Sequence, residues 1–254
     1  MALFSPQTDF FKISVRLSKI ETYTFYSITF LSIFFTIINL TTLGNILSIL
    51  SIIILSVLKY ITAYYQEKGE SNRRNDFIDN SFGTKLSLDS SIGYYDNDEI
   101  NTGLYKALVN LFENSYFSLQ VTNVMKNKII IKNLILLIIL SISCIYGLSN
   151  SSLGLPLLQL FLSKYFIEDL IVIFNYNSKL ETIFDNVKSI FDEGLFNKPD
   201  ISSNIINGKV IKILIDYETN ISNSKLLLDS KIFNQLNDEL TSKWSAIKNK
   251  YSIK

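Results

Sequence analysis

The sequence predicts an all-α protein integral to a membrane, with four transmembrane helices arranged as two hairpins and helical segments in the cytoplasm. Three observations predict it. Hydrophobic residues fill 48% of the 254 positions and mean hydropathy is +0.24, more apolar than one soluble core of this length requires. The stretches between Glu21 and Lys59 and between Lys132 and Lys164 contain no charged residue. Elsewhere the apolar residues recur at helical spacing.

Each uncharged stretch has to turn. As one helix the first would rise roughly 55 Å, against a hydrocarbon thickness of about 30 Å. Its weakest apolar point is Thr41-Thr42-Leu43-Gly44-Asn45, which predicts a connection there between a span near Thr22–Leu40 and a span near Asn45–Tyr64. The second stretch breaks at Gly147-Leu148-Ser149-Asn150-Ser151-Ser152. Span three is then Ile129–Tyr146, and span four begins near Leu153 with Pro156 in its first turn, where a missing N–H costs little. The chain divides into an arm over 1–21, a hairpin over 22–66, a cytoplasmic helical segment over 67–128, a second hairpin over 129–176 and a cytoplasmic helical tail over 177–254.

Orientation follows from the basic residues. Neither hairpin turn carries charge, whereas Lys12, Arg16, Lys19, Arg73, Arg74, Lys126 and Lys128 flank the spans on the other side, so both termini and the middle segment are expected in the cytoplasm. The first apolar run is too long for a cleaved leader. The arm, with Phe4, Phe10, Phe11, Ile13, Val15 and Leu17 among its basic residues, either lies along the membrane surface or is unstructured.

In the middle segment, span two is expected to run on as helix through Arg73 and Arg74 to Gly83. A second helix carries Leu104, Leu108, Leu111, Phe112, Ser115 and Leu119 on one face. Asp96 followed by Glu99 has the form of a capping box before it. The clustered oxygens of Asp96-Asn97-Asp98-Glu99 also suit a hard cation but lack the spacing of a known calcium loop. In the tail, Leu180, Ile183, Phe184, Val187, Ile190 and Phe191 form a stripe ended by Gly194 and Pro199, and a final helix carries Phe233, Leu236, Leu240 and Ile247. Neither cytoplasmic segment has apolar surface for a core of its own, so the two are expected to pack on each other or on neighbouring subunits.

Few residues carry chemistry. There is no histidine, which removes the usual general base and metal ligand, and Cys144 is single and lies in an apolar run. Gly83, Gly93 and Gly103 stand apart from any phosphate-loop pattern. No enzyme, cofactor or metal site is expected, and a net charge of +1 offers no field for a nucleic acid polymer. Span four, however, contains Lys164, Glu168 and Asp169. Charge near a bilayer centre costs about 2.5 to 3.5 kcal/mol on insertion scales, so these residues either line a polar path formed on subunit assembly or mark a short span whose lysine reaches the surface. Arg73, Arg74 and Lys85, with Tyr94 and Tyr95, either hold an anionic ligand such as a nucleotide or serve as flanking charge and packing.

The stretch Arg73-Arg74-Asn75-Asp76-Phe77-Ile78-Asp79-Asn80-Ser81-Phe82-Gly83-Thr84, followed by Gly93-Tyr94-Tyr95 and Phe112-Glu113-Asn114-Ser115, looks like a segment of small bacterial four-span membrane proteins. With the order hairpin, cytoplasmic helices, hairpin, helical tail, the chain resembles the SMODS- and SLOG-associating four-transmembrane effector family of anti-phage defence. The resemblance implies a bacterial inner-membrane effector that is restrained or triggered by a cyclic nucleotide signal or a companion signalling protein, forms homo-oligomers and permeabilises the lipid bilayer. A membrane scaffold anchoring a cytoplasmic complex is the alternative expected from the amphipathic helices alone, and an accessory subunit of a transporter is a third.

Overall fold

The computed structural model describes residues 5–89, 91–92, 97–145, 167–197 and 202–253. It is all-helical: six α-helices and one 3-10 turn, with no β-strand among the described residues. The helices are α1 (Thr8–Ile37), α2 (Thr41–Phe82), α3 (Leu104–Ile145), α4 (Asp169–Asp192), α5 (Ser203–Ser224) and α6 (Ser230–Lys250), with the 3-10 turn at Leu195–Asn197 between α4 and α5. The chain forms two compact units: one from Met1–Thr8, Gly69–Lys126 and Val172–Lys254, hereafter the body, and one from Asp9–Lys68 and Asn127–Ile171, hereafter the apolar unit.

In the apolar unit, α1 and the first part of α2 form a hairpin. The turn lies at Ile38-Asn39-Leu40, a few residues before the Thr41–Asn45 connection expected from the sequence. Asn39 supplies it by adopting φ 61°, a left-handed conformation asparagine tolerates better than most residues, and the Leu40 N–H closes on the Phe35 carbonyl at 2.9 Å. Gly44 sits inside the first turn of α2. A β-carbon there would lie 3.5 Å from Phe35 Cβ, an ordinary contact distance, so the two helices are near neighbours at the turn. Further along, the buried Ser14 hydroxyl donates to the Thr62 carbonyl at 3.2 Å and ties α1 to α2. The arm expected over 1–21 is helical from Thr8, continuous with the rest of α1.

The surface of this unit is unusual. Tyr23 and Phe30 of α1 are 70% exposed, Ile49 and Ile52 of α2 more than 60%, and Ile131, Leu134, Ile135 and Ile138 of α3 about half or more. Among the described residues one helix, over Thr42–Phe82, is long and apolar enough to cross a membrane; its most apolar window has mean hydropathy 2.2 and is only 6% buried. Four crossings were expected. The second expected turn, Gly147–Ser152, and most of span four, with Pro156 and Lys164, lie outside the described residues.

The body is built the opposite way. The α3 stripe is buried from Leu108 through Leu119, and the α4 stripe buries Leu180, Ile183, Val187 and Ile190. Phe112 is the hub: its ring stacks on Phe191 at 5.2 Å between centroids, meets Trp244 edge-on at 5.5 Å and touches Phe184 at 5.4 Å. Helix α5, which carries Ile206, Val210, Ile213, Tyr217 and Ile221 inward, completes the core with α6, whose buried residues are Ile232, Leu240 and Trp244. Asp229 caps α6 by accepting from the Lys231 and Ile232 N–H groups.

Two loops depend on side chains of α2. Helix α2 ends at Phe82, and Gly83 takes φ +70°, the left-handed conformation that stops a helix with least strain. The Asp79 carboxylate then accepts from Thr84 Oγ1 and from the Leu86 and Ser87 N–H groups, each at 2.7 Å, folding the following loop back on the helix end. The expected capping box does not cap: α3 starts at Leu104, five residues after Glu99, and Asp96 lies outside the described residues. Asn97 is instead buried, donating to Asn110 Oδ1 at 2.9 Å and to Glu113 Oε2 at 2.8 Å. Asn110 passes its own amide to Asn80 and Ser81.

Candidate functional site

Of the charged residues expected in span four, the structure describes Glu168 and Asp169. Glu168 is exposed just before α4, and Asp169 is the first residue of that helix. Asp169 Oδ2 lies 3.4 Å from the Lys132 ammonium of α3, with both side chains 39% exposed. The pair therefore keeps access to solvent or to whatever surrounds the unit. Lys164, expected with them in span four, lies outside the described residues. Lys132 is the member the sequence reading overlooked, because it stood at the edge of an uncharged run and passed for a boundary marker. Its signal was there: it sits among Ile129, Ile130, Ile131 and Leu134 rather than among polar residues.

The two adjacent arginines have opposite surroundings. Arg73 is buried, its Nε 2.8 Å from Glu70 Oε2 and its Nη2 2.5 Å from Glu218 Oε2 of α5, with the Tyr217 ring 6.0 Å from the guanidinium carbon. A planar guanidinium can fork between two carboxylates, and here it cross-links α2 to α5. Its charge is met inside the chain. Arg74, one residue on, has no hydrogen-bond or ion-pair partner among the described residues, and it lines a groove of about 310 Å³. The α2 wall is Arg74, Phe77, Ile78 and Phe82, which recur at helical spacing; the α5 wall is Leu214, Ile215, Glu218 and Thr219. Tyr94 and Tyr95 lie outside the described residues, and Lys85 is exposed in the loop after Gly83.

Sequence reasoning missed α5 and with it Glu218 and half of the groove. The stripe at 206, 210, 213, 217 and 221 has the spacing used for the other helices. It was obscured by Gly208 and by the many polar residues on the other faces.

The Asp98 and Glu99 carboxylates reach different lysines. Asp98 lies 3.7 Å from Lys106, and Glu99 lies 3.4 Å from Lys248 near the end of α6. Among the described residues no cluster of three or more His, Cys, Asp or Glu is placed to hold a metal ion. A second contact holds the same end of α6: the Tyr251 hydroxyl donates to Asp192 Oδ1 at 2.7 Å. That bond, with Lys188 and Lys250 nearby, holds the Asp192 carboxyl below its ordinary value. Glu99 is held low by its own backbone N–H and by Lys248.

Comparison of the chain with family models, with curated proteins and with solved structures finds no match.

Proposed function

We propose that this chain is a bacterial inner-membrane effector of anti-phage defence that inserts through its apolar unit, assembles as a homo-oligomer and permeabilises the bilayer in response to a cyclic-nucleotide-linked signal. The observation that carries the membrane part is the contrast between the units. In the body the stripes of α3 from Leu108 to Leu119 and of α4 from Leu180 to Ile190 are buried, while in the apolar unit many of the described Ile, Leu and Phe side chains of α1, α2 and α3 face outward. Apolar surface costs roughly 25 cal/mol per Å² in water, and large exposed patches mark membrane or protein contact. An apolar window of α2 with mean hydropathy 2.2 and only 6% of it buried fits lipid surroundings.

The permeation part rests on Lys132, Glu168 and Asp169, charged groups within that apolar unit, with Lys164 adjacent in the chain. Ionisable residues in such surroundings face protein or a water-filled path. Their assembly between subunits gives the polar path. The defence role and its nucleotide-linked trigger rest on the resemblance of the 73–84, 93–95 and 112–115 segments described above.

The test is a vesicle assay. Purified protein is reconstituted into phospholipid vesicles holding a potassium gradient, and a potential-sensitive dye reports leakage. With a cyclic nucleotide present the intact chain dissipates the potential, Lys132→Leu, Lys164→Leu, Glu168→Leu and Asp169→Leu reduce leakage at matched insertion, and the exchanged pair Lys132→Asp with Asp169→Lys recovers part of it. Vesicles that stay tight with fully inserted protein, together with bacteria that keep their potential on induced expression and phage challenge, would sink the effector reading. The alternative, a membrane scaffold, would then stand, supported by the folded body with its open groove.

A further inference from the structure

The groove beside Arg74 offers apolar walls and a cation with no hydrogen-bond or ion-pair partner among the described residues. We propose that it is a binding site for a single-chain acyl carboxylate, a fatty-acid-like monoanion, whose head group pairs with Arg74 and whose tail lies between α2 and α5. The site belongs to the body alone, so it stands whether or not the apolar unit conducts.

Size selects the tail. A volume of about 310 Å³ is at the lower end of pockets that hold small organic ligands, about 300 to 1,000 Å³. From Arg74 to Phe82 the α2 wall runs about 12 Å at 1.5 Å per residue. An amphipathic helix of that length, about 10 Å across, needs roughly three times the volume. A single extended hydrocarbon chain fits, and Phe77, Ile78, Leu214 and Ile215 give it apolar contacts along both walls.

Charge selects the head group. Glu218 also borders the groove, but its Oε2 is engaged by Arg73, which in turn is shared with Glu70. The two arginines and two glutamates balance, so the attraction is local to Arg74 and suits one negative charge rather than a phosphate dianion or a dinucleotide. A nucleobase would also bring several donors and acceptors to walls that are mostly hydrocarbon, where unmet polar groups are costly. Arginine can take a carboxylate in a bidentate pair.

The experiment uses the full chain in phosphatidylcholine nanodiscs, free of detergent, at pH 8. Carboxyl-labelled laurate is titrated and followed by carbon-13 NMR, with empty nanodiscs, dodecanol, inorganic phosphate and a cyclic dinucleotide as comparisons. Saturable binding near one laurate per chain is expected. Arg74→Gln should weaken it about tenfold, the loss of one charge-assisted contact. Dodecanol should bind the native chain about as weakly as laurate binds that variant. Ile215→Trp, a change at a position 59% exposed and therefore harmless to the core, should block binding by filling the groove. Trp244 emission checks that Arg74→Gln is folded. The proposal is overturned if laurate merely partitions as it does into empty nanodiscs, if Arg74→Gln binds it as well as the native chain, or if phosphate or the dinucleotide binds through Arg74 and laurate does not.

Discussion

Replacing Arg73 by methionine removes the charge between Glu70 and Glu218 while keeping an apolar stem of similar length. The two carboxylates are then left without the cation that joined them, at side-chain exposures of 14% and 28%. Removing one partner of a fully buried ion pair costs about 3 to 5 kcal/mol. Because Glu218 keeps more than a quarter of its surface in solvent, the expected loss is about 2 to 3 kcal/mol, at or below the bottom of that range. Glu218→Gln leaves Arg73 one carboxylate and should cost about 1 kcal/mol. Arg73→Lys, which cannot fork, should fall between the two. The double variant Arg73→Met with Glu218→Leu should cost less than the two single changes together by at least about 1 kcal/mol, the sign of a direct pair. Trp244 is the chain's single tryptophan and is 2% exposed in the core of the body, so its emission shift in guanidinium reports unfolding of that unit. An Arg73→Met midpoint shift worth under about 0.5 kcal/mol, within the range of ordinary surface changes, would refute the cross-link.

Further tests probe other parts of the architecture. Phe112→Ala empties the centre of the aromatic cluster and should cost about 3 to 5 kcal/mol, with loss of the near-ultraviolet circular dichroism of Trp244. Asn110→Leu leaves the Asn97 amide with Glu113 alone and the Asn80 side-chain oxygen without the Asn110 donor, and should cost about 2 kcal/mol, read as accelerated hydrogen exchange over 84–89 and 97–102. Gly44→Ala should be tolerated, since the new methyl meets Phe35 at ordinary contact distance, whereas Gly44→Leu should splay α1 from α2, measured by a cross-linking pair placed at Ser14 and Thr62. Asp192 and Glu99 have lowered values in the folded chain, so the stability they contribute is present above their unfolded values and is lost as pH falls through the folded ones. Protection from hydrogen exchange at the end of α6, corrected for the intrinsic exchange rate, should therefore fall from about pH 5 downward, and Tyr251→Phe, by raising the folded Asp192 value toward the unfolded one, should make that fall shallower.

The elements legible in the sequence were those where one physical rule acts alone. The stripes at 104–119 and 180–191 are buried because helical period and apolar side chains leave no other arrangement, and Gly83 ends α2 because it takes a positive φ that other residues resist. The turn of the first hairpin was displaced because glycine and threonines at 41–45 drew attention, while a single asparagine made the turn and Gly44 sits inside the first turn of α2. The pair Asp96 and Glu99 matched a local capping pattern, but long-range demands took the neighbouring positions, with Asn97 serving a buried amide network and Glu99 reaching Lys248. The division of labour between Arg73 and Arg74 was not legible, since it depends on Glu218, 145 positions away in the chain. Nor was the groove, which exists only where α2 and α5 meet.

The packing of α6 on Phe112 also sets a timetable. The ring leaves the ribosome roughly 130 to 140 residues before Trp244 and Tyr251, the last rings to pack on it. At about 5 to 20 residues per second that is an interval of about 7 to 28 s. Through that interval the nascent α3 presents an uncovered aromatic face beside the exposed Ile131, Leu134, Ile135 and Ile138 of the same helix, and a chain stalled or cut before α6 keeps it uncovered. Quality-control proteases should therefore clear such fragments faster than any full-length variant altered only at its surface.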